Sequence, residues 1–366
     1  MSHGIDQCRC PHSVLHFRVC VPQVETPFGG LNVVLVGDFG QLPPCAGTPL
    51  YRPARPSDNS MGHSGSILYK AFNKVVVLQK VMRVDDNEDK ADVFKKNLSH
   101  LRNGEIMEDM VTDPVYNMIL KRRPPNPPPS DFDDCVHVWY LRAPVRQHNL
   151  TKLKELAKPV AIIHAVHQNT QSAKADPRDA MNLEPILYLA IGARVMYVRN
   201  SWQDGKLVNG AKGTVVSIIY KPDDAPPALP ECVIVQFDEY IGPSFLPSIP
   251  RCVAVTPYTC NWVKKVGSKN VQFDRTQLPL TLAFALTLYK IQGQTLPKLW
   301  WHPGDREWAT GAYYVAISRV RKVSDVLVDA HSHWRYDFDI IQLYHTYICI
   351  AGVHTLLYIL MHAWLT

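Results

Sequence analysis

The chain has 366 residues, 46% of them hydrophobic and 20% charged. That is ordinary for a soluble globular protein and enough for two or three domains with separate cores. Lys and Arg number 39 against 33 Asp and Glu, a net charge of +6 with a pI near 8.7, which permits a polyanionic partner without demanding one. Nine cysteines, scattered without a framework, and no basic-then-apolar leader argue against a secreted disulfide scaffold and for a reduced intracellular compartment.

In chain order, Cys8, Cys10, His12, His16 and Cys20 come first. Cys8-x-Cys10 is tighter than the usual zinc-ligand spacing, so no metal site is expected there. Residues 31–36 form a short valine-rich run entered through Gly29-Gly30 and left through Gly37-Asp38. The run predicts a buried parallel strand ending in a loop, and such loops form the ligand crevice of open α/β sheets. A second strand is expected at 75–78. A helix is expected over 89–102, with Phe94, Leu98 and Leu101 on one stripe and Gly104 as its stop. The prolines within 122–129 favour extended geometry and mark a domain boundary.

A new α/β unit begins with a strand at 136–141 and a helix to about 156. From 186 the pattern changes to short β-type runs (193–198, 213–220, 232–237, 252–255) separated by Gly, Pro and Asp turns, which predicts a small β barrel or sandwich. The α/β character returns at 278–288 and continues through 326–328, so a β module is inserted into an α/β domain. Residues 340–366 contain no Lys, Arg, Asp or Glu. Their apolar length approaches a membrane span, but three histidines and a weak polar flank argue against one.

ATP hydrolysis needs a backbone nest and Lys for the phosphates, a carboxylate for Mg²⁺, a polar group to orient water, and cations for the developing charge. No G-x-x-x-x-G-K-[ST] string occurs in the sequence. Asp238-Glu239 after an apolar run imitates a magnesium motif, yet it lies inside the β module and reads as a strand exit with surface acids. Gln41, after a strand and before Pro43-Pro44, is the candidate for orienting water, because a carboxamide can accept from water and donate to phosphate.

Pro27-Phe28-Gly29-Gly30 and Val33-Val34-Leu35-Val36-Gly37-Asp38-Phe39-Gly40-Gln41-Leu42-Pro43-Pro44 resemble motif III of the petite-integration-frequency helicases. These are superfamily-one, 5′-to-3′ DNA helicases related to RecD and to the Helitron helicase. Leu78-Gln79-Lys80-Val81-Met82-Arg83 and the helix after it resemble motif IV, with Val84 where the family has Gln. Residues 191–213 resemble the entry to the family's β insertion. Ala283-Phe284-Ala285-Leu286-Thr287-Leu288-Tyr289-Lys290-Ile291-Gln292-Gly293-Gln294-Thr295-Leu296 resembles motif V, with Tyr289 in place of His. Tyr313-Tyr314-Val315-Ala316-Ile317-Ser318-Arg319 resembles motif VI. The motifs run collinearly from about 27 to 328, which is far more specific than one short pattern.

The resemblance implies two RecA-like parallel-sheet domains, the first incomplete, with a small SH3-like β-barrel insertion in the second. The implied divisions are 1–130, 135–185, 186–277 (the insertion), 278–335 and an apolar tail at 336–366. It implies that Gln41, Arg83 and Arg319 are catalytic, with Gly37, Asp38, Gln41 and Arg319 at the nucleotide. Lys290, Gln292, Gly293 and Thr295 would hold single-stranded DNA, joined by Trp262 and Lys264 of the insertion, where an indole face and an ammonium suit a strand. ATP and Mg²⁺ are the implied cofactors, although their main ligands are missing from the sequence. Single-stranded or forked DNA is the implied partner, acted on by a monomer in DNA repair, recombination or telomere upkeep, in a nucleus or mitochondrion if the source is eukaryotic. Met1-Ser2 resembles the tail of an Asp-Glu motif, so the chain reads as a helicase cut just past its Mg²⁺ site and inactive alone. Two alternatives stand beside this: a transposon-derived remnant that at most binds single-stranded DNA, and a protein tethered to a membrane by its tail.

Overall fold

The computed structural model describes residues 33–44, 49, 60–70, 72, 74, 76, 78, 80–87, 90–103, 114–266, 268–304 and 309–329. The possible metal cluster near the N-terminus, Gly29-Gly30, Gly104 and the apolar tail lie outside them. Chain contacts divide the protein into two units, one built from residues up to 124 together with those from 303 onward, the other from 125–302. The division at Pro124-Pro125 falls in the proline run that marks a boundary in the sequence.

The first unit begins with helices α1 (Ser60–Lys70), α2 (Ala91–Asn103) and α3 (Pro114–Leu120). On α2 the apolar residues recur at i, i+4 and i+7, and Phe94, Leu98 and Leu101 are all buried, as an amphipathic helix requires. Asp92 in its first turn and His100 and Arg102 in its last complement the helix dipole. Val115 and Ile119 of α3 complete that core, and Asn97 crosses to the Pro114 carbonyl at 3.4 Å.

The expected strand at 31–36 is not formed among the described residues. Residues 33–38 carry no strand assignment, and Val34 is 54% exposed. A strand buried on both faces needs partners along both edges, and no described strand pairs with this segment. The apolar run states a demand for burial that the described neighbours do not meet. The expected strand at 75–78 fares the same: residues 75 and 77 lie outside the described set, and Val76 and Leu78 are exposed without strand assignment.

The second unit runs β1 (Val136–Trp139), α4 (Arg142–Glu155), β2 (Ala161–His164), α5 (Thr170–Lys174), β3 (Ile186–Leu189), β4 (Arg194–Tyr197), β5 (Lys212–Ile219), β6 (Cys232–Phe237), β7 (Cys252–Val255), β8 (Tyr258–Val266), β9 (Lys269–Gln277), β10 (Leu280–Leu282), β11 (Ala285–Thr287), α6 (Leu288–Ile291) and β12 (Leu299–His302). Strand β1 lies between β11 and β12 and parallel to both, with Val138 opposite Leu286 on one side and Trp301 on the other. The module that interrupts it is an antiparallel sheet ordered β10-β4-β5-β6-β7, where the sequence placed its β runs. Two antiparallel pairs, β2-β3 and the hairpin β8-β9, accompany it. One core joins α4, the β2-β3 pair and the five-stranded sheet: Leu153 packs with Ile163, Leu189, Val195, Val233, Val235, Phe237 and Leu280. Asp238 directly follows β6, 46% exposed at its side chain, with Arg194 bonded to both its oxygens at 2.9 and 2.6 Å. It is the surface acid that its position suggests.

Helix α7 (Ala312–Ile317) and strand β13 (Val326–Val328) return to the first unit. The sequence reading carries its last domain through 335, whereas the grouping by contact ends the second unit at His302. Within the first unit the Asp85 N–H donates to the Arg321 carbonyl at 3.2 Å, and Val328 N–H to the Arg122 carbonyl at 2.9 Å. The Arg122 side chain donates to the Ser324 and Val326 carbonyls.

Candidate functional site

In the first unit the residues of three separate motifs meet at one carboxylate. Residues 38–41 turn back on themselves, with the Gln41 N–H donating to the Asp38 carbonyl at 3.1 Å. The Asp38 side chain is 8% exposed. Its Oδ1 accepts from Gly40 N–H at 3.0 Å and from Arg102 through Nε at 2.9 Å and Nη2 at 2.8 Å. Its Oδ2 accepts the Tyr314 hydroxyl at 3.1 Å and the Gln41 carboxamide Nε2 at 3.5 Å. A carboxylate withdrawn from water is tolerable when its lone pairs are satisfied in this way.

Helix α7 approaches the turn because residue 311 is glycine. Gly311 has φ +81°, and a Cβ there would stand 2.4 Å from the Gly40 carbonyl oxygen. No other residue meets both conditions. Just past the end of α7, Arg319 is 2% exposed. Its Nε donates to the Val315 carbonyl at 2.8 Å and its Nη2 to Ser318 Oγ at 2.6 Å. Arg83 Nη1 donates to the Ser318 carbonyl at 2.8 Å, so the two guanidinium groups share Ser318. Among the described residues no carboxylate pairs directly with Arg319. Burial, and then the like charge of Arg83, push its pKa down to about 10, so it remains a cation at neutral pH. Burial, and then the charge of Asp38, push the Tyr314 phenol up; it stays protonated and donates.

This arrangement can receive an anion. It offers two fixed guanidinium groups and a carboxamide on a turn, and guanidinium is the fork that meets phosphate oxygens. Gln41, Arg83, Arg319 and Asp38 all belong to this one cluster, and Gly37 immediately precedes its turn. The Asp38 carboxylate faces Arg102 and Tyr314. Among the described residues no group of three His, Cys, Asp or Glu is gathered to hold a metal ion.

The expected strand-binding residues all lie in the second unit. Helix α6 carries Lys290, half-buried, its pKa lowered by burial against the opposing pull of Glu184. Gly293 takes φ +82°, and Gln292, Gly293 and Thr295 are exposed around that turn. Gln294 Nε2 closes it on the Lys290 carbonyl at 2.6 Å. Tyr289, standing where the resemblance expects His, shares a 2.9 Å hydroxyl contact with Tyr140. Trp262 lies on β8 directly opposite Phe273 and stacks on it, ring centroids 5.5 Å apart. Lys264 reaches Asp179 at 2.9 Å. Lys265, opposite Asn270, and Lys269 stand exposed near the tip of the same hairpin.

Sequence reasoning missed the partners of Asp38. It recorded Arg102 as part of a helix and Tyr314 as part of a motif, and nothing local links residues 64 and 276 positions apart. It also missed the β8-β9 hairpin, which was within reach: two alternating runs meet at Gly267-Ser268, a turn signal.

Known proteins resemble this chain in sequence and in fold. The family model described as PIF1-like helicase matches residues 14–112. The chain is 26% identical over 297 residues to the ATP-dependent DNA helicase Pif1 of Bdellovibrio bacteriovorus, covering 81% of this chain and 57% of that protein. It is 28% identical over 309 residues to human ATP-dependent DNA helicase PIF1, covering 84% and 42% respectively. The chain thus spans about half the length of these curated relatives. Among solved structures, Pif1 helicase from Candida albicans superposes with a TM-score of 0.62 at 22% identity over 89% of this chain and 69% of that one. Pif1 from Bacteroides, in complex with ADP-AlF3 and ssDNA, gives 0.58 at 24% over 88% and 68%. The fold is that of these RecA-like proteins.

Proposed function

We propose that this chain, a relative of the PIF1-like superfamily-one helicases, carries the phosphate-sensing and strand-gripping parts of an ATP-dependent DNA helicase. The observation that carries the reading is Arg319, a buried guanidinium with no described carboxylate partner, held beside Arg83 and in one cluster with Gln41. A buried cation with no carboxylate in direct contact is costly even with Asp38 nearby, and the terminal phosphate of ATP is the anion that the motif resemblance supplies. Gln41 orients the attacking water, and Arg319 and Arg83 neutralise charge developing on the γ-phosphate. The residues fit that phosphate. They do not fit Mg²⁺, since Asp38 is committed to Arg102 and no described cluster could hold a metal. No step is therefore assigned to the metal, and with no phosphate-cradling string in the sequence the chain hydrolyses no ATP by itself.

In the second unit Lys290 and the exposed Gly293 turn grip the backbone of single-stranded or forked DNA without reading bases, and the basic β8-β9 hairpin adds charge along the strand. Within that hairpin Trp262 stiffens β8 through Phe273, leaving Lys265 and Lys269 with Lys264 as the phosphate contacts. The function belongs to DNA maintenance, in a nucleus or mitochondrion if the source is a eukaryote.

Fluorescence anisotropy with a labelled oligo-dT tests the reading. Affinity should fall steeply with salt, and Lys290→Ala should lower the logarithmic salt slope by about one. No binding at low salt overturns it. DNA-stimulated ATP hydrolysis that Arg319→Ala abolishes would overturn the claim that the chain is inactive alone.

A further inference from the structure

The proposed chemistry uses Gln41, Arg83 and Arg319 and leaves unexplained why a buried carboxylate stands among them. Asp38 receives five donor contacts from three segments: its own turn, the end of α2 and α7. Its two oxygens divide the work. Oδ1 ties the Gly40 N–H to the Arg102 fork. Oδ2 is shared by the Tyr314 hydroxyl at 3.1 Å and the Gln41 carboxamide at 3.5 Å, the longest of the five. Tyr314 is also bound at its other end, where its carbonyl accepts the Ser318 N–H at 2.9 Å. Ser318 is the residue that both Arg83 and Arg319 contact. One tyrosine therefore bridges the oxygen holding Gln41 and the turn holding the two arginines.

We infer that Tyr314 and Arg102 are positioning residues that act through Asp38. Arg102 fixes the carboxylate on the turn, and Tyr314 sets its second oxygen, which parks the Gln41 carboxamide beside the arginine pair. The role assigned to Gln41 rests on the helicase reading, whereas the junction itself does not. Arg102 and Tyr314 make no contact with the reacting atoms. When a phosphate oxygen competes for the Gln41 donor, the long contact is the one released, while Tyr314 keeps Asp38 in place. Movement of the Gln41 turn and of the Ser318–Arg319 turn is then linked through a single side chain.

The test is made on the full chain without nucleotide, with ¹⁵N-labelled glutamine and glycine. The Gln41 carboxamide signals are assigned by their loss in Gln41→Glu. Tyr314→Phe, which keeps the ring and removes the hydroxyl, should shift the Gln41 pair and speed exchange of the Gly40 amide about tenfold. The Gln277 carboxamide, bonded to the Ile163 carbonyl in the other unit, should not move. Asp38→Asn should shift the same Gln41 signals, and adding Tyr314→Phe to it should change nothing more, since the two act in series. A tyrosine that only fills space would give equal effects in both backgrounds. Should Tyr314→Phe fail to fold, Arg102→Lys, which keeps the charge and loses the fork, should displace the Gln41 pair in its place. Gln41 signals that superpose on wild type in the folded variants overturn the inference. A chain that binds neither polyphosphate nor DNA overturns the helicase reading and leaves this result standing.

Discussion

Two aspartates close apolar runs in this chain, and the structure treats them in opposite ways. Asp38 follows Val33-Val34-Leu35-Val36-Gly37; Asp238 follows the strand β6. Asp238 ends a formed strand yet stands half in water with Arg194. Asp38 ends a run that makes no described strand, yet its carboxylate is almost fully withdrawn and satisfied by Arg102, Gly40, Gln41 and Tyr314. Local sequence places each acid after an apolar run, and strand pairing decides whether that run becomes a strand. Distant donors decide whether its charge becomes part of a site.

The comparison breaks most readily at Asp38. Asp38→Ala leaves a half-buried Arg102 guanidinium and the Gly40 N–H without their acceptor. It should cost about 3–5 kcal/mol, the scale for removing one member of a buried pair, read as a lowered urea midpoint of the first unit. Gly311→Ala attacks the same junction from the backbone. A left-handed φ and a Cβ 2.4 Å from the Gly40 carbonyl predict a loss of about 1–3 kcal/mol, measured in the same way. An effect below that range would mean that α7 does not rest on the Gly40 turn.

Acid sharpens the comparison in the second unit. His148 of α4 packs 4.1 Å from the His137 ring, and its Nε2 is buried without a described partner. Burial first, and then His302, push its pKa down to about 4 from the ordinary 6.5. Between those values the unfolded chain binds more protons than the folded one. Stability should therefore be complete above about pH 6.5 and decline as pH falls toward 4. His148→Leu should flatten thermal stability across that window; an unchanged pH profile would assign the decline to other groups. The smallest effect is expected at Asp238. Its exposed pair with Arg194 should be worth about 0–1 kcal/mol, so Asp238→Ala should barely move the urea midpoint, and a loss rivalling that of Asp38→Ala would erase the contrast.

Much of the fold was legible because its information is local. Strands β6 and β7 begin and end where the apolar runs do, α2 follows the stripe of Phe94, Leu98 and Leu101, and the proline run marks the division between the units. The run at 31–36 misled because apolar composition reports a need for burial and says nothing of which strand will pair with it. Gln41 was legible from its place after an apolar run and before Pro43-Pro44, whereas Arg83 and Arg319 were legible only through motif resemblance. Their support by Asp38, Arg102 and Tyr314 was not, because it depends on contacts between distant segments that no periodicity records. Lys264 pairs with Asp179 and Trp262 stacks on Phe273, contacts that residue type alone does not announce.

We propose that Arg319 and Arg83 await the terminal phosphates of a nucleotide. Calorimetric titration of the chain with inorganic tripolyphosphate at low salt tests it most directly. Binding is expected in about the millimolar range, weakened at least about tenfold by Arg319→Ala. Equal affinity in wild type and Arg319→Ala would contradict it.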